Sequence, residues 1–136
     1  MTNDNHFLIL QAEISSELSN LDAIIPEWDA YSLKINEKEI SQADLRVVGS
    51  MLHDFYTCIE RVFSKIAVEI DGELPSGSAW HSALLDRMNI SIPGTRGIVI
   101  DDALKQPLYE YLRFRHVFRN VYGWLQPTFF PTAKKW

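Results

Sequence analysis

The sequence is poor in the residues that would tie it together covalently or anchor it in a bilayer. Cys58 is the only cysteine, so no intrachain disulfide can form and no cysteine pair exists to hold zinc. No apolar run approaches the roughly 18 to 20 residues that a membrane-spanning helix requires. No N-terminal stretch combines a basic start, an apolar run and a small-residue cleavage site, and the expected compartment is the cytoplasm. Positive charge is also short. Lys and Arg number 13 against 18 Asp and Glu, a net charge of -5, which excludes a general electrostatic grip on nucleic acid. Any RNA contact must use a local basic patch. His-Glu-x-x-His, Glu-x-x-His and Gly-rich phosphate-loop patterns are all missing, so neither a metal nor a tightly bound cofactor is expected.

What is present describes one helical domain. At 136 residues the chain can bury roughly two-thirds of the surface its unfolded form would expose. Apolar residues make up 46% and charged residues 23%, a globular mixture rather than a disordered one. Phe7, Leu10, Ile14, Leu18, Leu21 and Ile25 recur at steps of three or four and predict a first helix over residues 5–25, ending near Pro26. Residues 27–40 read as a connection with one extra turn. Leu45, Val48, Leu52, Phe55, Ile59, Val62 and Ile66 alternate the same steps without a break and predict a long helix that closes at Gly72. A short third helix is expected over 78–88. A last helix, capped by Asp101 or Asp102 and containing Pro107, is expected to reach about Trp124. The apolar run 97–100 would be a strand without a partner, so an all-α bundle is the better reading. Pro127 and Pro131 make the end of the chain an irregular tail.

The last helix carries the chemistry. At about 100° per residue, Phe114, Phe118, Val121 and Leu125 share a face, with Tyr111 and Val117 beside it, and this face reads as core. Arg115, Arg119 and Tyr122 cluster on the opposite side, with His116 and Asn120 one turn apart next to them. Arg113, Arg115 and Arg119 could fork onto phosphate while a ring positions a ribose or base. Spacing alone favours a plainer alternative, a solvated basic face paired to some of the 18 carboxylates.

The residue string itself is more informative. Arg113-Phe-Arg-His-Val-Phe-Arg-Asn-Val-Tyr-Gly123 resembles the signature of the HEPN superfamily, specifically its HepT-like ribonuclease toxins. The resemblance continues through Leu52-His53-Asp54-Phe55-Tyr56, Ile59-Glu60-Arg61, Asp71-Gly72-Glu73-Leu74-Pro75, Trp80-His81, Leu84-Leu85 and Ile92-Pro93-Gly94-Thr95-Arg96. It covers roughly residues 45–124. It implies a HEPN-type antiparallel bundle of four to five helices over 1–126, an irregular tail over 127–136, and a homodimer in which two copies of an Arg-x4-6-His motif face one cleft. The family's arginine falls on Arg115, its histidine on Asn120 and the tyrosine of its extended motif on Tyr122. Such toxins cut RNA without a metal, using the RNA's own 2′-hydroxyl as nucleophile. The arginine stabilises charge on phosphate and the histidine moves protons. They are encoded beside a minimal nucleotidyltransferase (MNT-type) antitoxin, which in some systems transfers AMP to the motif tyrosine, so Tyr122 is the implied acceptor.

Two departures weaken the implied activity. Asn120 can hydrogen-bond but has no useful pKa, so cleavage is expected to be lost or strongly reduced. His116 stands directly after Arg115, where the family commonly has a polar helper, and is not expected to take over. The family also continues into another long helix where this chain has Gln126-Pro127-Thr128-Phe129-Phe130-Pro131. An interaction module that binds RNA, a nucleotide or a nucleotidyltransferase without cutting is the competing reading. A dimerising helical protein with solvated arginines is the plainest one. Trp80-His81 reads as a bulky cluster filling the bundle end, with a structural role. Cys58 and His53 lie about 140° apart on a helix, which leaves Cys58 a buried, inert thiol.

Overall fold

The computed structural model describes residues 2–35 and 38–122, with backbone alone for 2, 3 and 118–122. Four α-helices follow one another: α1 (Thr2–Ser32), α2 (Gln42–Ile66), α3 (Trp80–Met88) and α4 (Asp102–Tyr122). Among the described residues there is no strand. The run 97–100 is irregular, and the one local ladder contact is an isolated bridge between Ile92 and Arg96. The all-α bundle expected from the sequence is therefore present. The predicted tail 127–136 lies outside the described residues.

The first expected boundary is wrong. Instead of ending near Pro26, α1 runs on through it for another turn and a half, taking in part of what read as a connection. Proline deletes one N–H and crowds the preceding turn, but it does not forbid a helix whose flanks are held by other contacts. Here α2 and the turn that follows it supply them. His6 pairs with Glu69 at 2.6 Å, Glu13 with Lys65 at 2.7 Å, Glu17 with Arg61 at 3.8 Å, and the Tyr31 hydroxyl donates to Asp44 at 2.6 Å. Each step up α1 meets a partner further down α2, so the two helices are antiparallel along their whole length.

α2 begins with a capping box. The Ser41 hydroxyl accepts from the Asp44 amide at 3.0 Å, and the Ser41 amide donates to the Asp44 carboxylate at 3.1 Å. The helix then widens through a π-helical turn, Ala67–Asp71, and stops at Gly72, whose φ of 99° only glycine adopts without strain. The predicted stop holds. Cys58 is buried as expected, and burial pushes its thiol above the ordinary 9.0, leaving little thiolate.

Tyr56, Phe63, Leu84, Leu85, Met88 and Leu108 form the core where α2, α3 and α4 meet. Burying each contributes about 1.5–3 kcal/mol. The loop from α3 to α4 is fixed to this core by its backbone: the amides of Val99 and Ile100 both donate to the Met88 carbonyl, at 2.8 and 3.1 Å. Asp101 caps α4 by accepting from the Leu104 amide at 2.8 Å, and Pro107 lies inside the helix, both as predicted.

Candidate functional site

Two helices bracket a cavity of about 380 Å³. The start of α3, with the residues just before it, supplies Ser78, His81 and Ser82; α4 supplies Tyr109, Arg113, Arg115 and His116. On α4 the positions 109, 113 and 116 step by four and three, so they share a stripe, and Arg115 lies beside it. Ser78, Arg113 and His116 are exposed at the rim. Arg115, at 5% exposure, is the deepest of the group.

This placement corrects the predicted faces of α4. The periodicity assigned Phe114 and Val117 to the core and Arg115 to the solvated side. In the structure Phe114 is 39% and Val117 54% exposed, while Leu108 and Arg115 are buried, with Tyr111 and Leu112 half-buried between them. A hydrophobicity count ranks arginine as surface because desolvating a guanidinium is costly. It cannot see the tertiary contacts that offset such a cost.

Glu60 is 1% exposed, and its Oε2 accepts a hydrogen bond from Nδ1 of His81 at 2.6 Å. The other oxygen, Oε1, is also buried and has no hydrogen-bond partner among the described residues. The Trp80 ring stacks on the His81 ring with centroids 3.8 Å apart and planes inclined by 32°. Carboxylate and indole therefore fix both the position and the plane of the imidazole. Tyr56, one turn before Glu60, reports the same field: burial first, then the Glu60 charge, pushes its phenol well above the ordinary 10.0, while Arg115 pulls it back. On the cavity wall the Tyr109 hydroxyl donates to Asp86 at 2.6 Å, and Lys105 reaches the same carboxylate at 3.2 Å.

The structure thus brings Arg113, Arg115 and His116 together around one cavity. Arg113 also meets Glu110 at 3.4 Å, an exposed pair one turn apart that leaves the arginine available at little cost. The side chains of Arg119, Asn120 and Tyr122 lie outside the described residues, although the backbone that carries them is helical. His81, read from sequence as structural filling, also lines the cavity, and Trp80 packs against the core. Glu60 was read only as part of the family string, with no role of its own. The available signal was a carboxylate one turn after Tyr56 and three residues before Phe63, between two core positions.

No three His, Cys, Asp or Glu side chains converge as a metal-binding set among the described residues, and no described helix is long and apolar enough to cross a membrane. A second cavity, about 440 Å³, is walled by Leu18, Phe55, Val62, Leu104 and other apolar side chains and carries no comparable polar set. Residues 47–130 match a family model described as HepT-like protein. No curated protein and no solved structure matches the chain.

Proposed function

The chain belongs to the HepT-like family of the HEPN superfamily, and on that premise we propose that it is the toxin component of a toxin-antitoxin pair, a metal-independent endoribonuclease weakened by Asn120. The observation that carries this reading is Arg115. A guanidinium held at 5% exposure beside a cavity that also takes in Arg113 and His116 supports an oxyanion-stabilising role over that of a solvated surface charge. Phosphate entering the cavity would meet Arg113 at the rim and Arg115 at depth. Ser78 and Ser82 can hydrogen-bond to ribose, and the RNA's 2′-hydroxyl would attack the adjacent phosphorus.

Asn120 occupies the position from which the family's histidine moves protons, and an amide cannot do this at any useful pH. Tyr122 is the candidate acceptor of AMP from an MNT-type nucleotidyltransferase antitoxin. The exposed Phe114 and Val117, on the other side of α4 from Leu108, supply apolar surface suited to the homodimer that the family reading requires. The missing motif histidine favours a second reading, an interaction module that uses the same cavity to bind RNA or a nucleotide without cutting it.

RNA cleavage in EDTA separates the two. Asn120→His should cleave a labelled single-stranded RNA at least about 100-fold faster than the unaltered chain, and adding Arg115→Ala should abolish the gain. An Asn120→His protein that folds and binds RNA but does not cut it would leave the interaction module as the function.

A further inference from the structure

Resting on the ribonuclease reading above, we infer that His81, oriented by Glu60, is the general base of the unaltered chain's own RNA cleavage. It accepts the 2′-hydroxyl proton that Asn120 cannot take. His81 would then be a catalytic residue and Glu60 its positioning residue.

Three observations converge on it. His81 opens onto the same cavity as Arg115, so a phosphate held by the arginine brings its ribose to the imidazole. The 2.6 Å hydrogen bond from Nδ1 to Glu60 fixes the tautomer, which makes Nε2 the basic nitrogen. Glu60 is itself buried at 1% exposure, and the Trp80 ring lies against the imidazole, so the base is held in one orientation as proton transfer demands. A carboxylate is an expensive way to fill space, since an apolar side chain of similar volume would pack at lower cost. An oriented imidazole is what the carboxylate supplies in return. His116 also lines the cavity but stands exposed at its rim.

The charged and titratable groups around the cavity and Glu60 come from three helices. From α2 there are Glu60 and Tyr56; from α4 there are Arg113, Arg115, His116 and Tyr109, the last bonded to Asp86 of α3. The arginines favour bound phosphate. Glu60 favours the imidazolium that forms once the proton arrives.

The step balances without any further reagent. The 2′-oxygen bonds to phosphorus as its proton passes to Nε2 of His81, and the bond from phosphorus to the 5′-oxygen breaks. The leaving 5′-oxygen takes a proton from water, and the proton on His81 returns to solvent and neutralises the hydroxide. The products are a 2′,3′-cyclic phosphate and a 5′-hydroxyl end.

The experiment measures cleavage of a labelled single-stranded RNA in EDTA by the unaltered chain, Asn120→His, His81→Gln, His81→Ala and Glu60→Gln, each checked by thermal melting. The unaltered chain should cut slowly. His81→Gln should lower its kcat roughly 100-fold with KM little changed, and should remove the rise of rate with pH. Added imidazole should restore cutting to His81→Ala, which a structural role would not allow. If the His81 variants do not fold, Glu60→Gln carries the test, because its amide keeps the shape of the side chain but removes the charge that stabilises the imidazolium. A Glu60→Gln rate equal to that of the unaltered chain overturns the proposal. So does a folded His81→Gln protein that retains its rate. Cutting by Asn120→His but not by the unaltered chain overturns the role of His81 and leaves the family reading standing; silence from both overturns the ribonuclease reading itself.

Discussion

Tyr109 joins the wall of the cavity to α3 by a 2.6 Å hydrogen bond to Asp86. That bond first, then burial and the Asp86 charge, pushes the phenol from 10.0 up to about 12. The folded chain thus holds this proton more tightly than the unfolded chain does. The resulting contribution to stability is complete below pH 10 and is lost as pH rises toward 12. Ultraviolet titration of the phenols should therefore show a component near pH 12 that Tyr109→Phe removes, and a titration unchanged by that substitution would contradict the bond. Much of the site at this scale was legible in the residues. Arg113, Arg115 and His116 were recognisable from the motif and do share a cavity. Glu60 and His81 stood in the family string but not as a pair, because the contact joins positions 21 residues apart, and local periodicity contains no information about such pairs. The burial of Arg115 was missed for the same reason.

Between elements, Arg96 ties the loop preceding α4 to the end of the π-helical turn. Its Nε and Nη2 donate to the two oxygens of Asp71 at 2.6 and 2.8 Å, and Nη1 donates to the carbonyls of Ile90 and Gly97. Asp71 is 3% exposed at its side chain. Arg96→Ala strands that carboxylate and frees the loop, and should cost about 3–5 kcal/mol in urea unfolding. Asp71→Asn on top of it should recover part of the loss, since a neutral amide tolerates burial better; a single-variant loss below about 1 kcal/mol would mean the pair is dispensable. Helix existence was readable here because apolar spacing is a local property, and the stop at Gly72 was readable because left-handed backbone selects glycine. Where α1 ends was not, since the contact with α2 beyond Pro26, the hydrogen bond from Tyr31 to Asp44, joins two different elements. The start of α2 could have been found: Ser41 followed at three residues by Asp44 is a capping-box pattern just ahead of the apolar stripe.

For the whole molecule, a net charge of -5 and a basic cavity pull in opposite directions, and the salt dependence of RNA binding measures which prevails. The chain as a whole repels a polyanion, so affinity must come from the few phosphates that reach the cavity. Arg113 and Arg115 line it, so about two phosphates should be neutralised per chain. Each contributes roughly -0.7 to the slope of log affinity against log salt for a single strand, giving about -1.4. A dimer presenting both cavities to one RNA would give about -2.8. Fluorescence anisotropy between about 50 and 200 mM salt distinguishes these values, and Arg113→Ala should reduce the slope by about 0.7 per chain with little change in sequence preference. A slope steeper than about -5 would require more cations than the cavity supplies and would move the binding surface elsewhere on the molecule. A slope near zero would leave stacking and hydrogen bonding as the sources of affinity, and would remove the arginines from phosphate recognition altogether.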